Sequence, residues 1–439
     1  MIAAFEGSLL RPGDAEYESS RTVWNAMVDR RPAVIARCAS TADVVAALRH
    51  GQAAGLEIGV RCGGHSFLGL PVVEDGLLID LSRLSSVQVD PVRRRARVGG
   101  GALLGDLDVA AQRYGLATTA GNVSHTGVGG LTLGGGIGWL ARQYGLTCDN
   151  VESYELVTAD GVVRRVSATE HPDLFWGLRG GGGAFGVVTS FEFRLHPVGT
   201  RALCVDLHYR LEDAGTALRG WRDLFAGTPR QATPVARVTQ VNGRPMATIG
   251  YVWVGDPREG LELLPSYQAV GRPVGQTVRH LSYLDLQTRS DDADRHALRR
   301  YCKGHYLRTL PDAAIDAFLA DGKHPGRLTL NGGAIADVPD DATAFSHRDA
   351  LIEFTTGDDW TDPDEDDARV AATRAYAAGL TPYTSGTYVN TIADADSAAI
   401  HRAYSPAKLA ALQALKHTYD PTNVFTRTPL NTPGRVLSA

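Results

Sequence analysis

Residues 61–70 read RCGGHSFLGL, and three further stretches share their glycine density: VGGGALLGDL (98–107), AGNVSHTGVGGLTLGGGIGWLARQYG (120–145) and WGLRGGGGAFGVV (176–188). All four lie in the first half of the chain. Glycine opens backbone conformations closed to other residues and lets another molecule approach the main chain. Successive backbone N–H groups in such loops form nests for anions, a pyrophosphate among them. Tight turns alone explain one or two such clusters, not four. A nicotinamide-type dinucleotide fingerprint is a poor fit. The run GGGIG (134–138) follows no convincing buried strand, and no acidic residue ends a second strand about 20 positions later. His65 comes directly after Gly63-Gly64. Its imidazole, a competent nucleophile, therefore stands on a loop suited to close approach.

The surrounding chain narrows the class. Its 439 residues suggest two or three domains at about 150 residues each. Hydrophobic residues at 44% and charged residues at 21% are ordinary for a globular protein and exclude disorder. A net charge of −5 argues against a nucleic-acid partner. The five cysteines, Cys38, Cys62, Cys148, Cys204 and Cys302, are scattered and form no CxxC, so neither a disulfide framework nor a zinc site is expected. No run approaches the ~20 apolar residues that span a bilayer. No basic n-region precedes an apolar stretch at the start. The expectation is a cytoplasmic protein without a membrane partner.

Helical spacing and end signals predict helices at 41–55, 103–115, 312–322, 364–380 and 405–420, the last with Ser405 as cap and Pro406 at its first position. Strands are predicted at 56–62, 76–82, 86–100 (around Asp90-Pro91), 186–198, 327–338 and 348–357. Hairpins are predicted at 151–168, turning at 159–161, and at 235–255, turning at Asn242-Gly243. Glycine falls to ordinary levels after about residue 200, which places a domain change near Pro197–Thr200.

RCGGHSFLGL resembles the R-x-GGHS-x-x-G loop of the berberine-bridge-enzyme-like flavoproteins, within the vanillyl-alcohol-oxidase type of FAD-binding fold. Further motifs follow in the family's order: LLRPGDAEYESSRTVWN (9–25), GVGGLTLGGGIGWLARQYGLTCDNV (127–151), DLFWGLRGGGGAFGVVTSFEF (173–193), SYLDLQ (282–287), RYCKGHYL (300–307), FSHR (345–348), TYVN (387–390) and YDPTNVF (419–425). The resemblance implies an α+β, two-domain PCMH-type FAD-binding fold. Residues 1–198, joined again by 390–439, would bind FAD. Residues 199–389 would form a substrate domain, an antiparallel sheet backed by helices. It implies flavin contacts at Arg61, Cys62, Gly63, Gly64, His65 and Ser66, and at Gly121, Val123, Ser124, Thr126, Gly127, Gly130, Gly134, Gly135 and Gly138. Val187, Asn390 and Asn431 complete the set. His65 falls where the family bonds imidazole to the flavin 8α-methyl. Val123 stands where bicovalent members carry a second tether, a Cys, so one covalent link is expected. Ala184 replaces a usual Asn.

The implied reaction moves hydride from a substrate C–H to flavin N5 while a base within ~3 Å takes the adjacent O–H or N–H proton. The resemblance points to Glu353 or Tyr388 on the second domain. Along LIEF, Leu351 and Glu353 share one face and Ile352 the other. A tyrosine base needs a lowered pKa and hence a nearby cation, for which Arg348 and Lys303 are candidates. His125 faces either the flavin edge and substrate or solvent. Thr126 stands where a bulky Leu accompanies poor oxygen access in relatives, so its smaller side chain favours an oxidase. The reading is a monocovalent bacterial FAD oxidase. It takes a small-molecule substrate and O2, gives hydrogen peroxide, and tailors a secondary metabolite. The alternatives are a catabolic amine or sugar oxidase or a dehydrogenase on the same scaffold, a non-redox protein on that scaffold, and a nicotinamide dehydrogenase.

Overall fold

The structure, a computed structural model, describes residues 2, 5–241, 243–394 and 397–431. Three sheets organise it. The first runs Ser8–Leu10, Val34–Arg37, Leu77–Asp80, Ile58–Arg61, with the last three strands parallel. The crossover between two of them is the helix Thr41–Ala53. Ser40 caps it by accepting from the Asp43 N–H at 3.2 Å. Val44, Ala47, Leu48 and Gly51 repeat at helical spacing and are buried against the sheet.

The second sheet is antiparallel, in the order Val87–Asp90, Arg95–Gly99, Gly186–Arg194, Val151–Thr158, Val163–Ser167. The third has seven antiparallel strands: Gly275–Ser282, Arg201–Arg210, Arg244–Val254, Ala232–Val241, Gly326–Leu330, Ile352–Trp360 and Arg299–Leu307. Its two faces follow the period of two along a strand. Leu203, Val205, Leu207 and Tyr209 share a core with helices Leu211–Asp223, Asp312–Leu319 and Asp366–Leu380. Ala202 and Cys204 point the other way and pack with Trp139 and Leu140 of the first half. The C-terminal helix Pro406–Tyr419 returns to the first half, where Leu409, Leu412 and Leu415 join the core of the second sheet.

Three predicted elements end earlier or start later than their patterns suggested. The strand expected over 327–338 stops at Leu330. Gly332 and Gly333, at φ 76° and 59°, turn the chain into the short helix Ala334–Asp337. The strand expected from 348 begins at Ile352, because Arg348 is drawn into a buried ion pair with Asp149 at 2.7 Å. The strand expected over 186–198 breaks after Arg194, where the Leu195 N–H donates to the Arg94 carbonyl, and resumes as His196–Pro197. The turn residue Asn242 and the predicted segment beyond Asn431 lie outside the described residues.

Candidate active site

Strand Ile58–Arg61 delivers the chain into the His65 loop. Arg61 is held at the strand end by Asp80, 2.7 Å away and buried. Gly63 then meets Gly127 of the second glycine stretch back to back: a Cβ on either would strike the other's backbone nitrogen. Gly64 turns at φ 72°. His65 comes to rest stacked on Trp24, 4.7 Å between ring centroids and 16° between planes. Trp24 is itself fixed by its indole N–H donating to the Asp294 carbonyl at 2.6 Å and by the Arg300 guanidinium 4.2 Å over its ring. His65 Nε2 lies 2.7 Å from His125 Nδ1, and its Nδ1 is 3.4 Å from Thr126 Oγ1. Burial, then the nearby His125, His296 and Arg300, hold the His65 pKa well below the usual histidine value. The ring is neutral at pH 7, with a lone pair available.

His65 lines a cavity of about 350 Å³. Of the residues named from sequence, Cys62, Gly63, Gly64, Ser66, Thr126, Gly127, Gly130, Gly134, Val187 and Asn390 share its wall with His65. The wall suits FAD: Gly130 and Gly182 border it, and a Cβ on either would meet no protein atom within 4 Å. The space is a cradle that a side chain would fill. Cys62 borders the same wall. Burial pushes its thiol up to about 11, so the thiolate needed for attack is scarce.

Other named residues stand behind the wall. The Gly121 carbonyl accepts from Gln287 at 3.1 Å, and Ser124 is bound through N–H and hydroxyl to Asp291 at 2.9 and 2.6 Å. The Val123 carbonyl closes a turn with the Thr126 N–H at 3.2 Å. A Cβ on Gly135 would press on Phe345, and one on Gly138 on the Ala120 carbonyl. Asn431 donates to Asn423 Oδ1 at 2.6 Å and to the Phe425 carbonyl at 3.2 Å; its neighbours Thr428 and Pro429, rather than Asn431, line the cavity. The sequence reading missed Trp24, Phe67, Arg427 and His296. Trp24 lies within the quoted motif 9–25. His296 carries no local signal, since it joins the site from the far half.

The two candidate bases differ. The Tyr388 oxygen accepts from the Gly136 N–H at 2.8 Å and from Asn390 Nδ2 at 2.7 Å, so it braces the glycine loop. Burial raises its pKa rather than lowering it. Neither proposed cation serves it: Arg348 is paired with Asp149, and Lys303 with Asp394. Glu353 is buried on the seven-stranded sheet, opposite Tyr306 and Thr329. Burial raises its pKa, partly offset by Arg327. It stands close enough to Tyr306 and Tyr388 that its charge raises the pKa of both.

Known proteins resemble this chain over nearly its whole length. A family profile described as FAD binding domain matches residues 32–167. An FAD-linked oxidoreductase of Dictyostelium discoideum is 30% identical, the match covering 96% of this chain and 94% of that one. The solved structure of 6-hydroxy-D-nicotine oxidase from Arthrobacter nicotinovorans superposes with a TM-score of 0.88 at 26% identity, covering 97% and 98% of the two chains. Glucooligosaccharide oxidase of Acremonium strictum, described with a 6-S-cysteinyl, 8α-N1-histidyl FAD, gives 0.83 at 25% identity and 95% coverage of each chain. The glycine-lined cavity, the sheet order and this relatedness agree: the chain belongs to the berberine-bridge-enzyme-like FAD-linked oxidoreductases of the vanillyl-alcohol-oxidase fold.

Proposed function

We propose that this chain is an oxidase that carries FAD on His65 by a single covalent bond and removes hydride from an alcohol or amine carbon of a small organic substrate. The observation that carries this reading is the neutral His65 imidazole in the wall of the glycine cradle, with Glu353 buried on the sheet that packs against the first half. Bound there, FAD supplies the hydride acceptor and passes the electrons to dioxygen. The chain's own groups do the rest. The Gly63–Gly64 and Gly127–Gly130 backbone holds the cofactor. Tyr388 and Asn390 brace the Gly134–Gly136 loop. Glu353, whose pKa burial raises, is the group assigned to take the proton from a substrate O–H or N–H. Val123 and the buried Cys62 leave no second tether. Thr126, small and in the cavity wall, leaves room for dioxygen.

The setting we propose is tailoring of a secondary metabolite. The alternative, oxidation of an amine or a sugar as food, is favoured by what two relatives are named for. A substrate panel followed by peroxide release separates them. The test of the chemistry is anaerobic flavin reduction. Glu353→Gln should slow it on the order of 10²–10⁴-fold while the yellow pigment stays with acid-precipitated protein. Reduction at the parental rate would remove Glu353 as base. Pigment released entirely by acid would remove the covalent bond.

A further inference from the structure

Three histidines from three separate loops converge at the attachment site: His65, His125 and His296. One ring nitrogen from each lies within 4.8 Å of the others. Ring centroids are 4.8 Å apart for His65 and His125, 5.1 Å for His125 and His296, and 5.8 Å for His65 and His296. His65 and His125 are partly buried and His296 is exposed. Such a trio can be a metal cage or a proton path, and the shortest distance decides. Zinc holds each nitrogen at about 2.0–2.1 Å, which sets two tetrahedral ligands ~3.3 Å apart. The 2.7 Å between His65 Nε2 and His125 Nδ1 is a hydrogen bond instead.

That bond also selects the reactive nitrogen. It occupies His65 Nε2 and leaves Nδ1 with only the Thr126 hydroxyl near it, at 3.4 Å. The other nitrogen of His125, Nε2, is buried without a hydrogen-bond partner. A proton taken up at His125 Nδ1 makes that Nε2–H acidic, and the exposed ring of His296 lies 5.1 Å from the His125 ring between centroids.

We propose that His125 accepts the Nε2 proton of His65 as the covalent flavin bond forms, and that His296 passes it to solvent. The proposal rests on the His65–FAD bond put forward above. The balance is as follows. One C–H bond of the flavin 8α-methyl breaks, and one bond forms between that carbon and His65 Nδ1. The methyl proton and the His65 Nε2 proton both leave. The electron pair left on the flavin ring reduces dioxygen, which takes two protons and becomes hydrogen peroxide. His125 acts through His65 and is a positioning, proton-accepting residue.

The experiment loads FAD into apoprotein purified from flavin-starved cells. Coupling is followed by in-gel flavin fluorescence after denaturation and by the mass gain of one FAD less two hydrogens. Wild type should couple. His125→Ala and His125→Gln should bind FAD reversibly with unchanged affinity and couple on the order of 10²-fold more slowly. Added imidazole should restore the rate of His125→Ala, and His296→Gln should fall between. Variants that couple at the wild-type rate, or a slow His125→Ala that imidazole does not rescue, would overturn the relay alone. Wild-type protein that never couples would overturn the covalent bond itself.

Discussion

Asp108 shows how one buried group ties stability to pH. It is 2% exposed, and burial pushes its carboxyl up to about 7, against the hydrogen bond from Gln287 Nε2 at 3.0 Å. A folded-state pKa above the unfolded value means that the native state binds more protons between the two. Stability is therefore full below the unfolded value near 3.8 and falls as pH rises toward and through 7. Asp108→Asn keeps the shape, removes the charge and offers an N–H to Gln287 Oε1, which is buried without a partner. We expect it to raise the unfolding free energy at pH 8 by up to about 4 kcal/mol, from roughly three pKa units at 1.4 kcal/mol each. No gain is expected near pH 4. Urea unfolding at the two pH values measures the difference. The same residue-level view separates Glu353 from Tyr388. Burial raises the pKa of both, but Glu353 is a carboxyl whose shift Arg327 partly offsets, whereas the Tyr388 oxygen is already engaged as acceptor from the Gly136 N–H and Asn390 Nδ2.

The glycine stretches behave as two kinds of element. Gly63 belongs to a contact between backbones: its missing Cβ lets the His65 loop touch Gly127. Gly63→Ala should force the loops apart, cost more than about 3 kcal/mol and abolish flavin loading. Gly130 lies in the short helix Val128–Leu133 and borders open space. Gly130→Ala should leave the apoprotein as stable as wild type or up to about 1 kcal/mol more stable, since alanine is the better helix former. Its flavin loading should still fall. Thermal unfolding of apoprotein alongside flavin absorbance per protein distinguishes the two. Glycine density exposed these loops in the bare sequence because few side-chain patterns imitate it. It did not reveal which glycines touch protein and which face the cavity.

Across the molecule, the two halves are joined by interior polar groups. Arg142, on the short helix Ala141–Tyr144, is 6% exposed and has no carboxylate partner among the described residues. Its guanidinium donates to the backbone carbonyls of Ala232 at 2.9 Å, Thr228 at 3.3 Å and Asn331, all in the second half. Burial lowers its pKa to about 10, so it remains charged at neutral pH. Arg142→Met strips three carbonyls of their donor and should cost about 3 kcal/mol or more. Because Arg142 couples the flavin loops to the sheet bearing Glu353, kcat/KM should fall with it. Denaturant unfolding and steady-state kinetics on one preparation test both.

Periodicity and composition were enough to place the helices Thr41–Ala53, Leu104–Gln112, Asp312–Leu319, Asp366–Leu380 and Pro406–Tyr419, most strands, and the loops that carry His65 and Thr126, but not the helix Leu211–Asp223. Those are local properties: 3.6- and 2-residue repeats, capping residues and glycine all act on neighbours in the chain. Strand ends at Leu330 and Ile352 escaped because tertiary demands overrode the local pattern, a glycine pair in one case and a buried ion pair in the other. The commitments of Arg348 to Asp149 and Lys303 to Asp394, the burial of Glu353 and the arrival of His296 beside His65 were settled only by folding. Each depends on desolvation and on distances between residues far apart in the chain, and neither quantity exists until the sheets have packed.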